Sequence, residues 1–159
     1  ARRQGNVAPR LRQAARESAH GPAVSLLLDT NIVSELRKGG RADPRVRVWF
    51  ESVNDFEIHL SVLTVGEIRR RIERVRAKDP KQATALDRWL QRLTREHADR
   101  ILPVDRRVAE QWGRFSAGRN ASPVELMAAT AFVHELPLVT RNTRDIAWTG
   151  VAYLNPFDA

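Results

Sequence analysis

Three carboxylates in this 159-residue chain stand next to segments that are predicted to be strands. Asp29 directly follows the apolar run 26–28, and Glu67 opens the helix predicted after a second strand. Asp145 follows a third predicted strand, 138–140. Hard divalent cations such as Mg²⁺ or Mn²⁺ prefer oxygen ligands of this kind. Such an ion can activate water and neutralise the charge on a phosphodiester, so the pattern predicts a metal site for phosphoryl chemistry.

A simpler function for each acid is helix capping, because Asp and Glu are common where a strand gives way to a helix. Taken singly, each acid fits that alternative. The metal-site interpretation requires the three strands to be neighbours in one sheet. Ligands bind at the carboxyl edge of the strands in open α/β sheets, which is where these side chains would meet.

Strands and helices alternate along the chain. Strands are predicted at 23–28, 57–61, 101–104, 138–140 and 151–154. Helices are predicted at 30–37, 44–50, 64–76, 80–97, from 105 through Phe115, and at 123–135, with a turn or short helix at 142–146. This alternation predicts the α/β class, as a three-layer α/β/α sandwich with a mostly parallel central sheet.

Composition narrows the function classes. The chain has no cysteine, which excludes disulfides, thiolate catalysis and a cysteine zinc site. No apolar run approaches the roughly 20 residues that span a bilayer, so we expect a cytoplasmic protein without a membrane partner. The formal net charge of +8 favours a polyanionic partner such as RNA.

Half of that charge lies in residues 1–22, which carry five arginines and one glutamate. We predict that this segment is a basic extension outside the domain, which would occupy residues 23–159. One hypothesis is that translation starts near Val24. The alternative is a genuine basic arm that adds affinity for RNA.

Several sequence motifs, in order, resemble one family. They are LLLDTNIVSELRK, LSVLTVGEIRRRI, LPVDRRVAEQWG, AATA, LVTRNTRDI and GVAYLNPF, and they run from about Val24 to Phe157. This pattern resembles the PIN-domain toxins of the VapC/FitB type. The resemblance implies a PIN-like domain with Mg²⁺-dependent (or Mn²⁺-dependent) endoribonuclease activity on RNA. It also implies a homodimer that a cognate VapB/FitA-type antitoxin holds inactive.

The resemblance assigns roles to individual positions. Asp29 matches the first metal-ligand acid, Glu67 the second and Asp145 the fourth. The polar residues that would support them are Thr30, Asn31, Thr140 and Asn142. Residues predicted to contact RNA or the antitoxin are Arg69, Arg70 and Arg141. The alternative for the arginines after Glu67 is a solvated helix face with Glu73 as an ionic partner.

The third acid of the family pattern is displaced in this chain. The position that normally carries Asp is Val124, and the nearest acid is Glu125. One residue along a helix is a rotation of about 100°, so Glu125 is expected to point partly away from the other acids. Glu125 replaces the missing ligand if its longer side chain or a shifted helix start compensates.

If Glu125 does not compensate, the chain is a degenerate PIN-fold protein that binds RNA or an antitoxin without cleaving. A DNA-binding module is a weaker alternative that rests on the basic segment 1–22 alone.

Overall fold

A computed structural model describes residues 24–120 and 122–158 of the chain. Five strands form one sheet in the order β3-β2-β1-β4-β5, and every neighbouring pair is parallel. The strands are β1 (Leu26–Leu28), β2 (Ile58–Ser61), β3 (Ile101–Leu102), β4 (Leu138–Val139) and β5 (Tyr153–Leu154). The predicted parallel sheet is confirmed. It makes β1 the central strand, with β2 and β4 on either side.

Seven α-helices lie within the described ranges. They are α1 (Thr30–Leu36), α2 (Pro44–Glu51), α3 (Val62–Arg76), α4 (Pro80–Glu96), α5 (Arg106–Ser116), α6 (Pro123–Val133) and α7 (Thr143–Ile146). Aspartates cap four of them, including Asp29 at the start of α1. The carboxylates of Asp43, Asp79 and Asp105 each accept a backbone N–H from the first turn of α2, α4 and α5 respectively.

Some predicted boundaries were wrong. The helix expected from Thr64 begins at Val62, because the Ser61 hydroxyl accepts the N–H of Leu63 and caps the helix earlier. Glu67 therefore lies in the second turn of α3 and does not open the helix. The strand expected at 101–104 ends at Leu102, before a proline that has no N–H for a ladder bond. The first and last strands are also shorter than predicted.

Two apolar cores, one on each face of the sheet, make the fold a three-layer sandwich. Along β1, Leu28 belongs to the core formed with α1–α4, and Leu27 belongs to the core formed with α5–α7. In β4, Val139 and Leu138 divide between the two cores in the same way. Successive side chains of a strand point to opposite faces, so both faces of the short, apolar strands are buried.

Two predictions concern segments and properties outside the sheet. The proposed basic extension, residues 1–22, lies outside the described residues, so the domain boundary at 23 stays a prediction. Among the helices of the described ranges, none is both long enough and apolar enough to cross a membrane.

The packing of β2 predicts the effect of a core truncation. Leu60 is 1% exposed in the strand between β1 and β3. We expect Leu60→Ala to lower the free energy of unfolding by about 2–5 kcal/mol, because the cavity it leaves cannot fully collapse. Val48 on α2 is 65% exposed and provides the matched control. Urea denaturation should show Val48→Ala within about 0.5 kcal/mol of the unsubstituted chain. Equal losses in the two variants would contradict this core assignment.

Candidate active site

An open cleft of about 890 Å³ lies at the carboxyl edge of the sheet. All four predicted acids line it, namely Asp29, Glu67, Glu125 and Asp145. They come from four separate parts of the chain: the end of β1, the second turn of α3, the first turn of α6, and α7. The parallel order of the strands brings these connections to the same edge, as the sequence interpretation required.

Asp29 is the most firmly held of the four acids. It is only 7% exposed, and its carboxylate accepts three hydrogen bonds. The donors are the Thr30 N–H at 2.7 Å, the Thr140 hydroxyl at 2.7 Å and the Asn31 side-chain amide at 3.0 Å. Asp29 is thus both the cap of α1 and a member of the cleft. Capping of the helix and membership of the cleft are therefore compatible functions of Asp29.

The predicted supporting residues form a network that links the turn after β1 to the turn after β4. The Asn31 amide also donates to the Thr140 hydroxyl oxygen at 3.3 Å, and the Asn142 N–H donates to the same oxygen at 3.0 Å. The Arg141 N–H donates to the Asn31 side-chain oxygen at 3.3 Å. Because the two bonds of Asn31 join residues from distant parts of the sequence, the Asp29 carboxylate depends on both turns for its position.

The charge of Asp29 is costly in this environment. Burial raises the pKa of Asp29 above its usual value, and hydrogen bonds from Thr140 and from the Thr30 N–H partly offset that rise. The negative charge of Glu67 raises the pKa of Asp29 further. This repulsion between two carboxylates is the electrostatic condition that a divalent cation relieves.

Glu67 and Asp145 are both exposed to solvent in the cleft. The helix of Glu67 is fixed to α1 through a buried bond from the Thr30 hydroxyl to the Thr64 hydroxyl, at 3.2 Å. The backbone around Asp145 is fixed by the Trp148 indole N–H, which donates to the Asp145 carbonyl at 2.9 Å. Their backbones are therefore positioned, while their carboxylates remain accessible.

The displaced acid, Glu125, also reaches the cleft. It is 4% exposed, and its carboxylate accepts the Ser122 N–H at 3.3 Å and lies 3.9 Å from the Arg119 Nε. Val124 lines the same cleft. The first turn of α6 abuts the cleft, so two successive residues can both border it in spite of the rotation between them. Glu125 therefore lines the cleft while its carboxylate caps the helix, and its use as the substitute ligand stays a prediction.

The acids share a cleft without forming a finished metal site. Within residues 24–120 and 122–158, no three Asp, Glu, His or Cys side chains are close enough together to hold a metal ion. Glu67 and Asp145 are exposed, so their carboxylates are the ones that can adjust to a ligand.

The arginines of α3 serve different purposes. Arg69 donates to Asp87 on α4 at 2.7 Å and to Glu73 at 3.3 Å, so it joins two helices of the same chain. The pairing of Arg69 with Glu73 that the alternative expected is present. Contact of Arg69 with RNA or an antitoxin stays a prediction. Arg70 is exposed, and the Arg141 guanidinium lies 4.7 Å above the ring of Phe157. Contact of Arg70 or Arg141 with RNA or an antitoxin stays a prediction.

The cleft residues that the sequence did not single out include Arg119, Arg144 and Trp148. Arg119 lies in the connection between α5 and α6, and its guanidinium is 4.1 Å above the Trp148 ring. A polar, basic connection shortly before the helix predicted at 123–135 was the available signal. Trp148 carried no local signal, because a single aromatic residue near a turn is compatible with ordinary packing.

Comparisons with known proteins define the family. A model of the PIN domain matches residues 26–148. The chain is 30% identical over 138 residues to toxin FitB of Neisseria gonorrhoeae, and the match covers 83% of this chain and 98% of that protein. It is 28% identical over 140 residues to the VapC ribonuclease Y4jK of Sinorhizobium fredii, covering 84% and 98% respectively.

Among solved structures, the crystal structure of FitAcB from Neisseria gonorrhoeae resembles this chain with a TM-score of 0.74 at 30% identity. The likeness covers 84% of this chain and 99% of that chain. The chain belongs to the PIN-domain family.

The hydrogen bond from Thr140 predicts a change in the titration of Asp29. We expect Thr140→Val to raise the pKa of Asp29 further, because the variant removes a donor to the charged form. When the pKa of an acid is higher in the folded state than in the unfolded chain, the free energy of unfolding falls as pH rises from the unfolded-state pKa through the folded-state pKa. The variant should therefore lose about 1.5–3 kcal/mol at neutral pH and less in acid.

Carboxyl NMR titration of Asp-labelled protein in EDTA measures the pKa, and denaturation across pH measures the stability. Thr140→Ser keeps the hydroxyl and is the matched control. A similar rise in the pKa of Asp29 in both variants, or in neither, would show that the hydroxyl is not what holds the charge.

Proposed function

We propose that this chain is the toxin endoribonuclease of a type II toxin–antitoxin system, and that it hydrolyses RNA phosphodiesters with a divalent metal. The observation that carries the proposal is the convergence of four carboxylates on one cleft at the carboxyl edge of the sheet. Membership of the PIN family supports it, as do relatives named as a toxin and as a ribonuclease.

The donor set fits Mg²⁺ or Mn²⁺, which prefer carboxylate oxygens and retain several waters. Asp29, Glu67 and Asp145 would hold the ion, with Glu125 as a fourth acid. Bound there, the ion would supply activation of water and neutralisation of charge at the phosphodiester. Repulsion between Asp29 and Glu67 gives the binding of a cation a favourable electrostatic contribution.

The residues of the chain have separable tasks in this reaction. Asp29 is an acceptor of fixed orientation, because donors from both adjoining turns hold its carboxylate. Glu67 and Asp145 are solvent-accessible and can adjust to an incoming ligand. Exposed arginines at the cleft, Arg119 and Arg144, reduce the repulsion between the acids and the phosphates of RNA.

The partners belong to the same proposal. A toxin of this class is controlled by a cognate antitoxin of the VapB/FitA type, and we infer that this chain has such a partner and acts as a homodimer in the cytoplasm. Binding of an antitoxin close to the cleft would block access of RNA to the acids.

The second candidate function is a degenerate PIN-fold protein that binds RNA or an antitoxin without cleaving. The specific observation in its favour is the position of Glu125. Its carboxylate is engaged by the Ser122 N–H and lies near Arg119, while the usual acid position carries Val124. If Glu125 cannot leave those contacts, the metal site has one acid fewer.

Removal of the central acid tests the nuclease function. We expect Asp29→Asn to lower cleavage of a pool of structured RNA in Mg²⁺ or Mn²⁺ by at least about 100-fold, because the amide removes a charged ligand. Asp99→Asn is the matched control, since the Asp99 side chain is 81% exposed and does not line the cleft. EDTA should abolish the activity. Undiminished cleavage by Asp29→Asn would refute this site.

The displaced acid separates the two candidate functions. If Glu125 is a working substitute, Glu125→Gln should lower cleavage by about 10-fold or more, and adding Val124→Asp should restore it. Glutamine keeps an acceptor for the Ser122 N–H, so the thermal midpoint should change little. A chain that cleaves only after Val124→Asp is introduced would instead be a degenerate toxin. Initial cleavage rates of the three variants and the unsubstituted chain decide between these outcomes.

A further inference from the structure

An edge-to-face pair of aromatic rings connects the core beneath α5 to the rim of the acid cleft. The ring of Phe115, which is buried, lies 5.7 Å from the ring of Trp148 at an interplanar angle of 79°. The Arg119 guanidinium lies 4.1 Å above the Trp148 ring. Of these three side chains, Arg119 and Trp148 line the cleft.

Trp148 is held firmly although it is exposed. Phe115 packs against it, and its indole N–H donates to the Asp145 carbonyl at 2.9 Å. Even so, 39% of the residue remains accessible. Because the Arg119 guanidinium covers a face of this ring, the indole and the guanidinium together form a partly accessible, fixed pair at the cleft where a substrate would bind.

Arg119 lies close both to this indole and to one of the acids, Glu125. Its side chain is 51% exposed, with its Nε 3.9 Å from the Glu125 carboxylate. A guanidinium is planar and can stack on a ring while its N–H groups bind oxygen anions, which a lysine ammonium cannot do. Arg119 thus combines a stacking surface with a positive charge next to the acid group.

We propose that Arg119 and Trp148 form a stacking subsite for an unpaired RNA base next to the acid cleft. This inference rests on the proposed ribonuclease function and specifies how the substrate is held. Proteins recognise unpaired RNA bases by stacking them on aromatic rings and on arginine planes, and bases within a duplex are not available for such contacts. The subsite therefore selects RNA that is single-stranded at the cleft.

The test measures the contribution of the base separately from that of the phosphates. All variants carry Asp29→Asn in the full chain, so that the RNA is not cut. Fluorescence anisotropy in Mg²⁺ compares a short labelled oligouridylate with an abasic strand of the same length and the same phosphates. We expect the parent to bind the oligouridylate about 10-fold more tightly than the abasic strand, the size of effect typical of base stacking.

Conservative substitutions then locate that preference. Trp148→Leu should remove most of the preference for the oligouridylate, because the variant lacks the aromatic ring. Arg119→Lys should do the same, because lysine keeps the positive charge but has no planar guanidinium. Trp148→Phe should retain the preference. Arg114→Lys is the matched control, because Arg114 is an arginine of α5 that is 67% exposed and lies outside the cleft lining. Circular dichroism confirms that each variant is folded.

Several outcomes would overturn the subsite. One is an equal loss of affinity for both strands in Arg119→Lys, which would leave only a phosphate contact. Others are an unchanged preference in Trp148→Leu, or no binding of either strand. A change in the oligomeric mass of Trp148→Leu with the preference intact would assign the surface to a protein partner and also overturn it.

The two proposals fail in different ways. Cleavage that depends on Asp29, without any preference for bases, leaves the nuclease and removes the subsite. A preference that depends on Trp148, without cleavage by the unsubstituted chain, leaves a single-strand binding site and removes the nuclease.

Discussion

The Asp29 carboxylate is held by donors from two different turns, and the arrangement of the cleft depends on that interaction. Burial makes the charge of Asp29 costly, as the raised pKa shows, so the carboxylate needs each of its hydrogen bonds. The Thr140 hydroxyl comes from the end of β4, and the Asn31 amide comes from α1. Asn31 lies only two residues from Asp29, whereas Thr140 can reach Asp29 only because β1 and β4 are parallel neighbours in the sheet. The order of the strands in the sheet therefore determines whether the charge of Asp29 can be hydrogen-bonded by Thr140.

The four acids differ in how they are exposed. Asp29 is buried and fixed, whereas Glu67 and Asp145 are exposed and come from helices that begin at the same edge. The charge of Glu67 raises the pKa of Asp29, and the solvent access of Glu67 limits the cost of that repulsion. In the proposed nuclease, a cation would provide the remaining compensation. Arg119 and Arg144 add positive charge at the rim, where RNA phosphates would approach.

Glu125 is one residue away from the position that carries the third acid in the family pattern, and it still lines the cleft. Its helix starts at the cleft, and residues of a first helical turn surround the helix end instead of forming one narrow stripe. Val124 and Glu125 therefore line the same cleft. A shift of the acid by one residue changes mainly the partners of its carboxylate. Those partners are the Ser122 N–H and Arg119. Whether the proposed metal can compete with them determines whether the chain cleaves or only binds.

The sequence by itself determined the α/β class, the order of the elements and the acid at the end of β1, because alternating patterns and helix caps are local signals. The same strand pattern singled out Glu67 and Asp145, and the family motifs added Glu125 and the supporting residues Asn31, Thr140 and Asn142. Only the tertiary structure decided that Glu125 faces the cleft, that Arg69 pairs with Asp87, and that Arg119 covers Trp148. These are contacts between residues distant in sequence or dependent on a helix start. They follow from how helices pack on the sheet, which no local pattern encodes.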